Sequence, residues 1–183
     1  MRPRKAPGRF RSGRLLFRRP EAADVAMIFE RYAGDAEVCR FLAWPRHRSI
    51  DDTRAFIAFS DSEWQRSPAG PLLVLSARDG TLLGSTGLSF DTPTVASTGY
   101  VFARDAWGQG YASESVQAMQ RIAAAGGVET LYALCHPDHA ASQRVLEKCG
   151  FSREAEPASC EFPNDRHGVL QDAYRYSMRP VSD

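Results

Sequence analysis

The stretch WGQGYASES, from Trp107 to Ser115, follows an apolar run and opens a helix-like segment. Its glycines, Gly108 and Gly110, would let the backbone approach another molecule closely. A helix N-terminus offers unpaired N–H groups and partial positive charge, so a phosphate is the first ligand expected there. The stretch matches neither GxxxxGK[ST] nor the Rossmann pattern GxGxxG, so neither nucleotide-binding loop is indicated. A helix that simply begins with a tight turn is the alternative.

A second stretch with potential chemistry is CHPDH, from Cys135 to His139, whose residue types raise the question of a metal site. Cys135 and His136 are adjacent at the end of a predicted strand, so their side chains would point to opposite faces. Their spacing fits no common zinc pattern, and we expect no metal here. The four cysteines form no CxxC pair and are expected to be reduced thiols of the cytoplasm.

The size and composition of the chain exclude several classes of protein. Its 183 residues, 43% hydrophobic and 25% charged, are typical of one soluble globular domain with a sizeable core. No apolar run approaches the roughly 18 residues that a membrane span requires, and no apolar h-region follows the basic start. We therefore expect neither a membrane-spanning segment nor a secretory signal.

The net charge of +1 hides an asymmetry along the chain. Residues 1–19 carry eight Arg or Lys and no acid, whereas the remainder has 15 basic and 22 acidic residues, a balance of −7. Residues 1–14 are predicted to be a basic, mobile arm. Such an arm could bind nucleic acid, with an affinity that falls steeply with salt. The acidic remainder instead suits a cationic substrate and argues against broad nucleic-acid binding.

Hydrophobic periodicity predicts alternating strands and helices over residues 15–180. Strands are predicted at 15–20, 72–77, 81–90, 98–103, 131–135, 160–162 and 173–178. Helices are predicted at 21–32, from Ser49 onward with Phe56 and Phe59 buried, after Gly110, and at 140–149. Asp79-Gly80 is a strong hairpin signal, and one strand–helix–strand–helix unit follows. The order predicts a single α/β domain whose central sheet is mixed, mostly antiparallel and flanked by helices.

Five segments, taken in order, resemble the GNAT acetyltransferase superfamily. The family's pyrophosphate loop reads Gln/Arg-x-x-Gly-x-Gly/Ala, and residues 107–112 read WGQGYA. The stretch PDHAASQRVLEKCGF, at 137–151, resembles the family's Pro-x-Asn-x-x-Ser-x-x-Val-Leu-Glu-Lys-x-Gly-Phe. LLFRRPEAADVAMIF, RHRSIDDTRAFIA and YRYSM are similar to segments of the branch that contains the ribosomal-protein N-terminal acetyltransferases. The resemblance covers nearly the whole chain, from Leu15 to Met178.

The resemblance implies that acetyl-CoA is the cosubstrate, with its pyrophosphate on main-chain amides of the glycine loop. The preceding strand would splay from its neighbour and pair with the pantetheine arm, and one N–H would polarise the thioester carbonyl. Trp107 and His139 depart from the family pattern, which has Gln or Arg and Asn at these positions. The implied cofactor-binding residues are Tyr100, Val101, Phe102, Trp107, Gly108, Gln109, Gly110, Tyr111, Ala112, His139 and Ser142.

The resemblance also implies direct attack of a primary amine on the thioester, which requires a neutral amine, a stabilised oxyanion and a proton for the thiolate. Ser142 occupies the Ser position of the second motif and is expected to assist the thiolate, or else to cap a helix. Glu161 is the expected base, acting through water, or else an exposed strand carboxylate. A covalent acetyl carrier at Cys135 is the less favoured alternative.

The sequence leaves the amine acceptor open between a protein N-terminus and a small molecule. In this family variable segments form the acceptor pocket, and here we expect residues 44–47 and the strand 5–6 region to line it. A catalytically silent CoA-binding sensor with the same fold is the alternative function. A homodimer is compatible with the sequence.

Overall fold

The structure is a computed structural model, and it describes residues 4–181. Within these residues the strands are β1 (Arg9–Ser12), β2 (Leu15–Arg18), β3 (Pro71–Ser76), β4 (Leu82–Thr92), β5 (Val95–Phe102), β6 (Thr130–Cys135), β7 (Ser152–Arg153), β8 (Ala158–Glu161) and β9 (Leu170–Met178). The helices are α1 (Val25–Ile28), α2 (Ala36–Cys39), α3 (Ile50–Arg66), α4 (Tyr111–Ala125) and α5 (Ala140–Lys148).

The strands form one sheet in the order β1-β2-β3-β4-β5-β6-β9-β7, with β8 paired to the first half of β9. β5 and β6 are parallel, and the other strand pairs in the described residues are antiparallel. The α4 helix supplies the connection that parallel neighbours require. The predicted fold class, a mixed and mostly antiparallel sheet flanked by helices, is confirmed.

Helices cover both faces of the sheet, because β3 is apolar on both sides. Leu72 and Val74 belong to the hydrophobic cluster that includes α4 and α5, whereas Leu73 and Leu75 belong to the cluster that includes α1 and α3. Successive residues of a strand point to opposite faces, so the two clusters lie on opposite sides of the sheet. The sheet is therefore the middle layer between two sets of helices.

The helix predicted at 21–32 is interrupted. A 3₁₀ turn (Ala22–Asp24) precedes α1, and a π-helical turn (Phe29–Ala33) follows it. The predicted burial of Phe59 is wrong, since its side chain is 52% exposed. The buried face of α3 instead carries Thr53, Ile57, Ser60 and Trp64, at helical spacing, and Phe59 lies on another face.

The sheet extends further at two places than the sequence predicts. β5 begins at Val95 rather than residue 98, because Ala96 and Thr98 alternate as buried positions and shorten the turn. Residues 9–12, predicted to lie in a mobile arm, form the edge strand β1, where Phe10 stacks on Phe17 with ring centroids 4.6 Å apart. Residues 1–3 of the predicted arm lie outside the described residues.

Candidate active site

A gap opens in the sheet between its two parallel strands. β5 and β6 pair only from Val95–Thr130 to Ser97–Tyr132, and beyond this point β5 remains paired with β4 and β6 with β9. The side chains of Val101 and Phe102 are buried in opposite clusters, so the main chain of β5 faces the gap. The edges that face each other present main-chain donors and acceptors to whatever enters the gap.

A cavity of about 920 Å³ passes through this gap from one face of the sheet to the other. Ser142 and Leu146 of α5 line it on one side, and Ile28 and Tyr32 line it on the other. Four residues predicted to bind the cofactor contribute to its wall, namely Tyr100, Val101, His139 and Ser142. The cavity therefore connects the two faces at the position where the predicted cofactor arm would lie.

The Tyr100 hydroxyl lies 2.8 Å from the Ser142 Oγ, joining β5 to α5 inside the cavity. Burial raises the pKa of Tyr100 above its ordinary value, so its hydroxyl keeps its proton at neutral pH. The N-cap of α5 is His139, and Ser142 lies within the helix, so the alternative reading of Ser142 as a helix cap is wrong. The pair can donate a hydrogen bond to an atom in the cavity.

The glycine loop, residues 107–112, connects the end of β5 to α4. Gly108 and Gly110 have φ angles of 73° and 82°, and Gly110 is the N-cap of α4. The main-chain amides from Gly108 to Ser113 make no hydrogen bond within residues 4–181. A Cβ on Gly108 would meet nothing within 4 Å, so the space above the loop is open. Unpaired amides at a helix N-terminus, facing open space, form a site for an anion.

Side chains fix the position of this loop. The Trp107 Nε1 donates to the Phe102 carbonyl at 2.8 Å, and the Gln109 Nε2 donates to the Asp105 carbonyl at 2.7 Å. The Arg14 Nη2 donates to the Gln109 carbonyl at 3.1 Å, and its guanidinium lies 4.5 Å from the centre of the Tyr111 ring. The sequence assigned Arg14 to the arm, but the β1–β2 hairpin brings its positive charge to the glycine loop.

Two histidines lie in the cavity wall at the start of α5. The His136 Nδ1 accepts a hydrogen bond from the Asp138 amide at 3.1 Å, so its proton is on Nε2, which faces Asp165 at 3.6 Å. The ring of Phe41 packs on both imidazoles, at 4.7 Å from His136 and 5.1 Å from His139. Burial, and then the proximity of His136, lowers the pKa of His139, which is therefore neutral at pH 7.

Glu161 does not reach the cavity, contrary to its predicted role as the base. Its carboxylate is 44% exposed and accepts a hydrogen bond from the Gly168 amide at 2.9 Å. The residue ends β8, where the chain turns toward β9, and this turn directs the side chain away from the gap. Of the two predicted catalytic residues, Ser142 lines the cavity and Glu161 does not.

The far part of the cavity, which we call the acceptor side, is lined by residues 41–48, Phe56 and Phe59. It includes residues 44–47, the segment expected from the sequence. Asn164, which the sequence did not indicate, ties this loop to the β8–β9 connection. Its Nδ2 donates to the carbonyls of Cys39 and Trp44, both at 2.8 Å, and its Oδ1 accepts from the Arg46 amide at 2.7 Å.

Three further expectations concern a membrane-spanning segment, a metal site and the state of the cysteines. Over residues 4–181, no helix combines the length and the apolar character needed to cross a membrane. The same residues contain no group of three or more His, Cys, Asp or Glu side chains that could hold a metal ion. All four cysteines are free, and burial raises the pKa of Cys135.

The fold and the glycine loop are those of an acyl-group transferase, and comparison with known proteins identifies the family. Residues 14–152 match the acetyltransferase (GNAT) domain. Because this match covers most of the chain, the chain belongs to the GNAT acetyltransferase family.

Among curated proteins, the chain is similar to the uncharacterised protein YkkB of Bacillus subtilis (strain 168), with 28% identity over 144 residues, 75% of this chain and 81% of that protein. Among solved structures, it is similar to a GNAT-family acetyltransferase from Bacillus anthracis, with 25% identity, a TM-score of 0.78, and 94% and 98% of the two chains covered. It is also similar to RimL, a ribosomal L7/L12 α-N-protein acetyltransferase solved with coenzyme A, with 22% identity, a TM-score of 0.77, and 97% and 99% covered.

Proposed function

We propose that the protein is an acetyl-CoA-dependent N-acetyltransferase that moves the acetyl group to a primary amine, a protein N-terminus or a small molecule, by direct attack. The observation that carries this proposal is the continuity of three features. The gap opens along β5 after Ser97, the Tyr100–Ser142 pair lies inside the cavity that fills it, and β5 then leads into the glycine loop, whose amides from Gly108 to Ser113 are unpaired within the described residues. The family membership and the coenzyme A bound to RimL support the same reading.

The glycine loop would hold the pyrophosphate of acetyl-CoA, since its amides and the positive end of α4 attract anions. Arg14 also lies beside the loop, where its guanidinium donates to the Gln109 carbonyl, but its charge is paired with Glu114, with 2.9 Å between the Arg14 Nε and the Glu114 Oε2. The pantetheine arm would pair with the free edge of β5, from residue 98 to Phe102. A main-chain N–H of this edge would then stabilise the oxyanion, a contribution of roughly 3 kcal/mol for one such donor.

The amine attacks the thioester carbonyl, a C–N bond forms, and the C–S bond then breaks to release CoA as a thiolate. Ser142, supported by the Tyr100 hydroxyl, would donate a hydrogen bond to this thiolate. We assign the proton of the amine to His139 in place of Glu161, because His139 is neutral and lines the cavity, whereas Glu161 does not. That proton then neutralises the thiolate, so the net reaction gives an amide and CoA.

A covalent acetyl carrier at Cys135 is disfavoured by the environment of its thiol. Burial raises the pKa of Cys135, and a thiol that keeps its proton is a weak nucleophile. Direct attack requires no such intermediate.

The test is release of CoA from acetyl-CoA with a panel of primary amines, together with calorimetric titration of acetyl-CoA. We expect binding of acetyl-CoA and amine-dependent release of CoA. Binding without release for every amine would instead support the sensor alternative, and absence of binding would contradict both. If His139 accepts the proton, kcat at saturating amine should decline as the pH falls through the pKa of His139, and His139→Asn should lower kcat and abolish that inflection.

A further inference from the structure

We propose, on the basis of the proposed function, that the acceptor is a small primary amine attached to an aromatic or comparably bulky apolar body, rather than a polyamine or a protein N-terminus. The inference concerns the acceptor side of the cavity, defined above by residues 41–48, Phe56 and Phe59. It rests on the character of the wall, the state of its charged groups and one buried hydroxyl.

The wall of the acceptor side is a continuous aromatic surface. The rings of Trp44 and His47 are 5.4 Å apart, and those of His47 and Phe56 are 6.3 Å apart. Phe59, 52% exposed, lies on the same cavity wall. Burial lowers the pKa of His47, so this imidazole is neutral and belongs to the uncharged surface. Aromatic surface that stays accessible within a cavity favours an apolar ligand that covers it.

The charged groups of the cavity do not suit a polyamine. Its carboxylates, among the described residues that line it, are Asp52 and Glu63. The Asp52 Oδ2 accepts from the amides of Arg48 and Ser49, at 2.7 and 3.0 Å, and so caps α3. Glu63 is paired with Arg66. A second or third ammonium group of an acceptor would therefore compete with two main-chain amides for Asp52 and with the guanidinium of Arg66 for Glu63.

The cations of the acceptor side strengthen this distinction. Arg46 and Arg48 both line the cavity, the Arg46 Nη1 donates to the Gly34 carbonyl at 3.3 Å, and the described residues give neither side chain a carboxylate partner. A polycation would be repelled by this charge. An amine whose body is uncharged carries only the ammonium that must lose a proton before it attacks.

One buried polar group points to a ligand. The Tyr32 side chain is 2% exposed and lines the cavity, and its hydroxyl has no hydrogen-bond partner within the described residues. The Ser85 hydroxyl lies on the same wall, donates to the Leu72 carbonyl at 3.0 Å and keeps its lone pairs for a donor such as Tyr32. Tyr32 lies on the π-helical turn Phe29–Ala33, and such turns are frequent at functional sites. Because Tyr32 lines the cavity, its hydroxyl is a candidate partner for a hydrogen-bonding substituent on the acceptor.

The acceptor side is held in its shape before any ligand enters. The three hydrogen bonds of Asn164 fix the loop that carries Phe41 and Trp44. A preformed aromatic wall favours a compact, rigid body, because little ordering of the loop remains to oppose binding.

The experiment compares kcat/KM in the CoA-release assay for 2-phenylethylamine, tyramine, butylamine, spermidine and a short peptide with an N-terminal alanine. We expect the two aromatic amines to exceed spermidine and the peptide at least tenfold. Trp44→Ala should lower kcat/KM for 2-phenylethylamine about tenfold through KM and change butylamine much less. Val169→Ala removes an exposed apolar side chain elsewhere and should change neither.

Two kinds of failure are distinguishable. A higher kcat/KM for spermidine or for the peptide, or an equal effect of Trp44→Ala on all amines, would overturn the acceptor assignment and leave the proposed function intact. Failure of every amine to release CoA would overturn the proposed function, and the acceptor assignment with it. Tyr32→Phe offers a second measurement, since it should reduce the advantage of tyramine over 2-phenylethylamine and leave the affinity for acetyl-CoA unchanged.

Discussion

The proposed cofactor side, by which we mean the glycine loop and the free edge of β5, and the acceptor side of the cavity are constructed in different ways. The cofactor side depends on the glycine loop, six consecutive residues whose main chain is shaped by two positive φ angles. The acceptor side consists of side chains from distant segments, joined by Asn164 through bonds that span 118 to 125 residues. One depends on local backbone geometry and the other on tertiary packing. A substitution on one side should therefore weaken the binding of one substrate and leave the binding of the other unchanged. The proposed reaction takes place where the two sides meet.

The largest effect on turnover is expected from substitutions at the Tyr100–Ser142 pair, where the two sides meet. Ser142→Ala should lower turnover by about 10²–10⁴-fold and leave acetyl-CoA binding nearly intact, because the hydroxyl acts on the departing thiolate. Tyr100→Phe should act in the same direction, and the double variant should be little worse than Ser142→Ala, since the two hydroxyls form one hydrogen-bonded unit. Steady-state rates and calorimetry on the same preparations measure both quantities.

The control for this prediction is Ser60→Ala, which removes a buried hydroxyl from α3 outside the cavity. It should keep full turnover. Full turnover of Ser142→Ala as well would remove Ser142 from the mechanism.

The next effect tests the cofactor side alone. Gly110→Val should raise the dissociation constant of acetyl-CoA at least tenfold, or about 1.4 kcal/mol, because its side chain would occupy the place of the phosphate. Gly80→Val is the matched control, since Gly80 has a φ of 74° in the β3–β4 hairpin and an added Cβ there meets nothing within 4 Å, whereas at Gly110 the nearest contact is the Arg14 Nη2 at 3.5 Å. Both variants bear the strain of a branched residue at positive φ, so both should lose stability. Equal affinity for acetyl-CoA in the two folded variants would contradict the phosphate assignment.

A smaller effect should be confined to the acceptor side. Asn164→Ala removes three hydrogen bonds from the loop that carries Trp44, so we expect KM for the amine to rise about fivefold, or roughly 1 kcal/mol. The dissociation constant of acetyl-CoA should not change. Asn164→Asp keeps the acceptor for the Arg46 amide and loses both donated bonds. Its KM for the amine should lie between the values of the unsubstituted protein and of Asn164→Ala. An equal loss of affinity for both substrates would mean that the sides are not independent.

The smallest expected effect concerns stability and pH. Burial lowers the pKa of His47 and of His139 below 6.5, so the unfolded chain binds more protons than the folded one as the pH falls through that value. This contribution to stability is complete above pH 6.5 and declines below it. We expect the melting temperature to fall by about 2 °C from pH 7.5 to 5.5, and by less in His139→Asn. Carboxylates with lowered pKa values, such as Asp24, lose their contribution only at lower pH.

The two sides also differ in how far the sequence predicts them. The glycine loop can be predicted from the sequence because its proposed anion site consists of main-chain amides. Consecutive residues determine the conformation of that main chain. The sequence singles out Tyr100 and Ser142 separately, but their contact joins residues 42 positions apart and requires the relative placement of β5 and α5. Asn164 has no motif, because an amide with three distant partners resembles any surface Asn.

Two of the sequence expectations that the structure does not bear out have the same physical origin. The positions of Phe56 and Phe59 predict an apolar face of α3, but the rotation of the helix against the sheet decides which positions are buried, and it turns Phe59 outward. Glu161 has a suitable residue type in a suitable strand, but the course of the chain after β8 decides where its carboxylate points. The rotation of α3 and the direction of the Glu161 side chain both depend on how elements pack together, and the periodicity within a single helix or strand does not specify either of them.

The gap between β5 and β6 has a consequence for the dynamics of the sheet. Two neighbouring strands that share only three register positions leave the rest of their facing edges to water. Amides on those edges, within residues 98–102 and 133–135, should exchange their hydrogens with solvent far faster than amides paired within β3 and β4. A cofactor arm that pairs with the edge of β5 would act as an additional strand and slow that exchange. In this sense the edge of β5 is an open position in the sheet, and the proposed cofactor arm would fill it as one more strand.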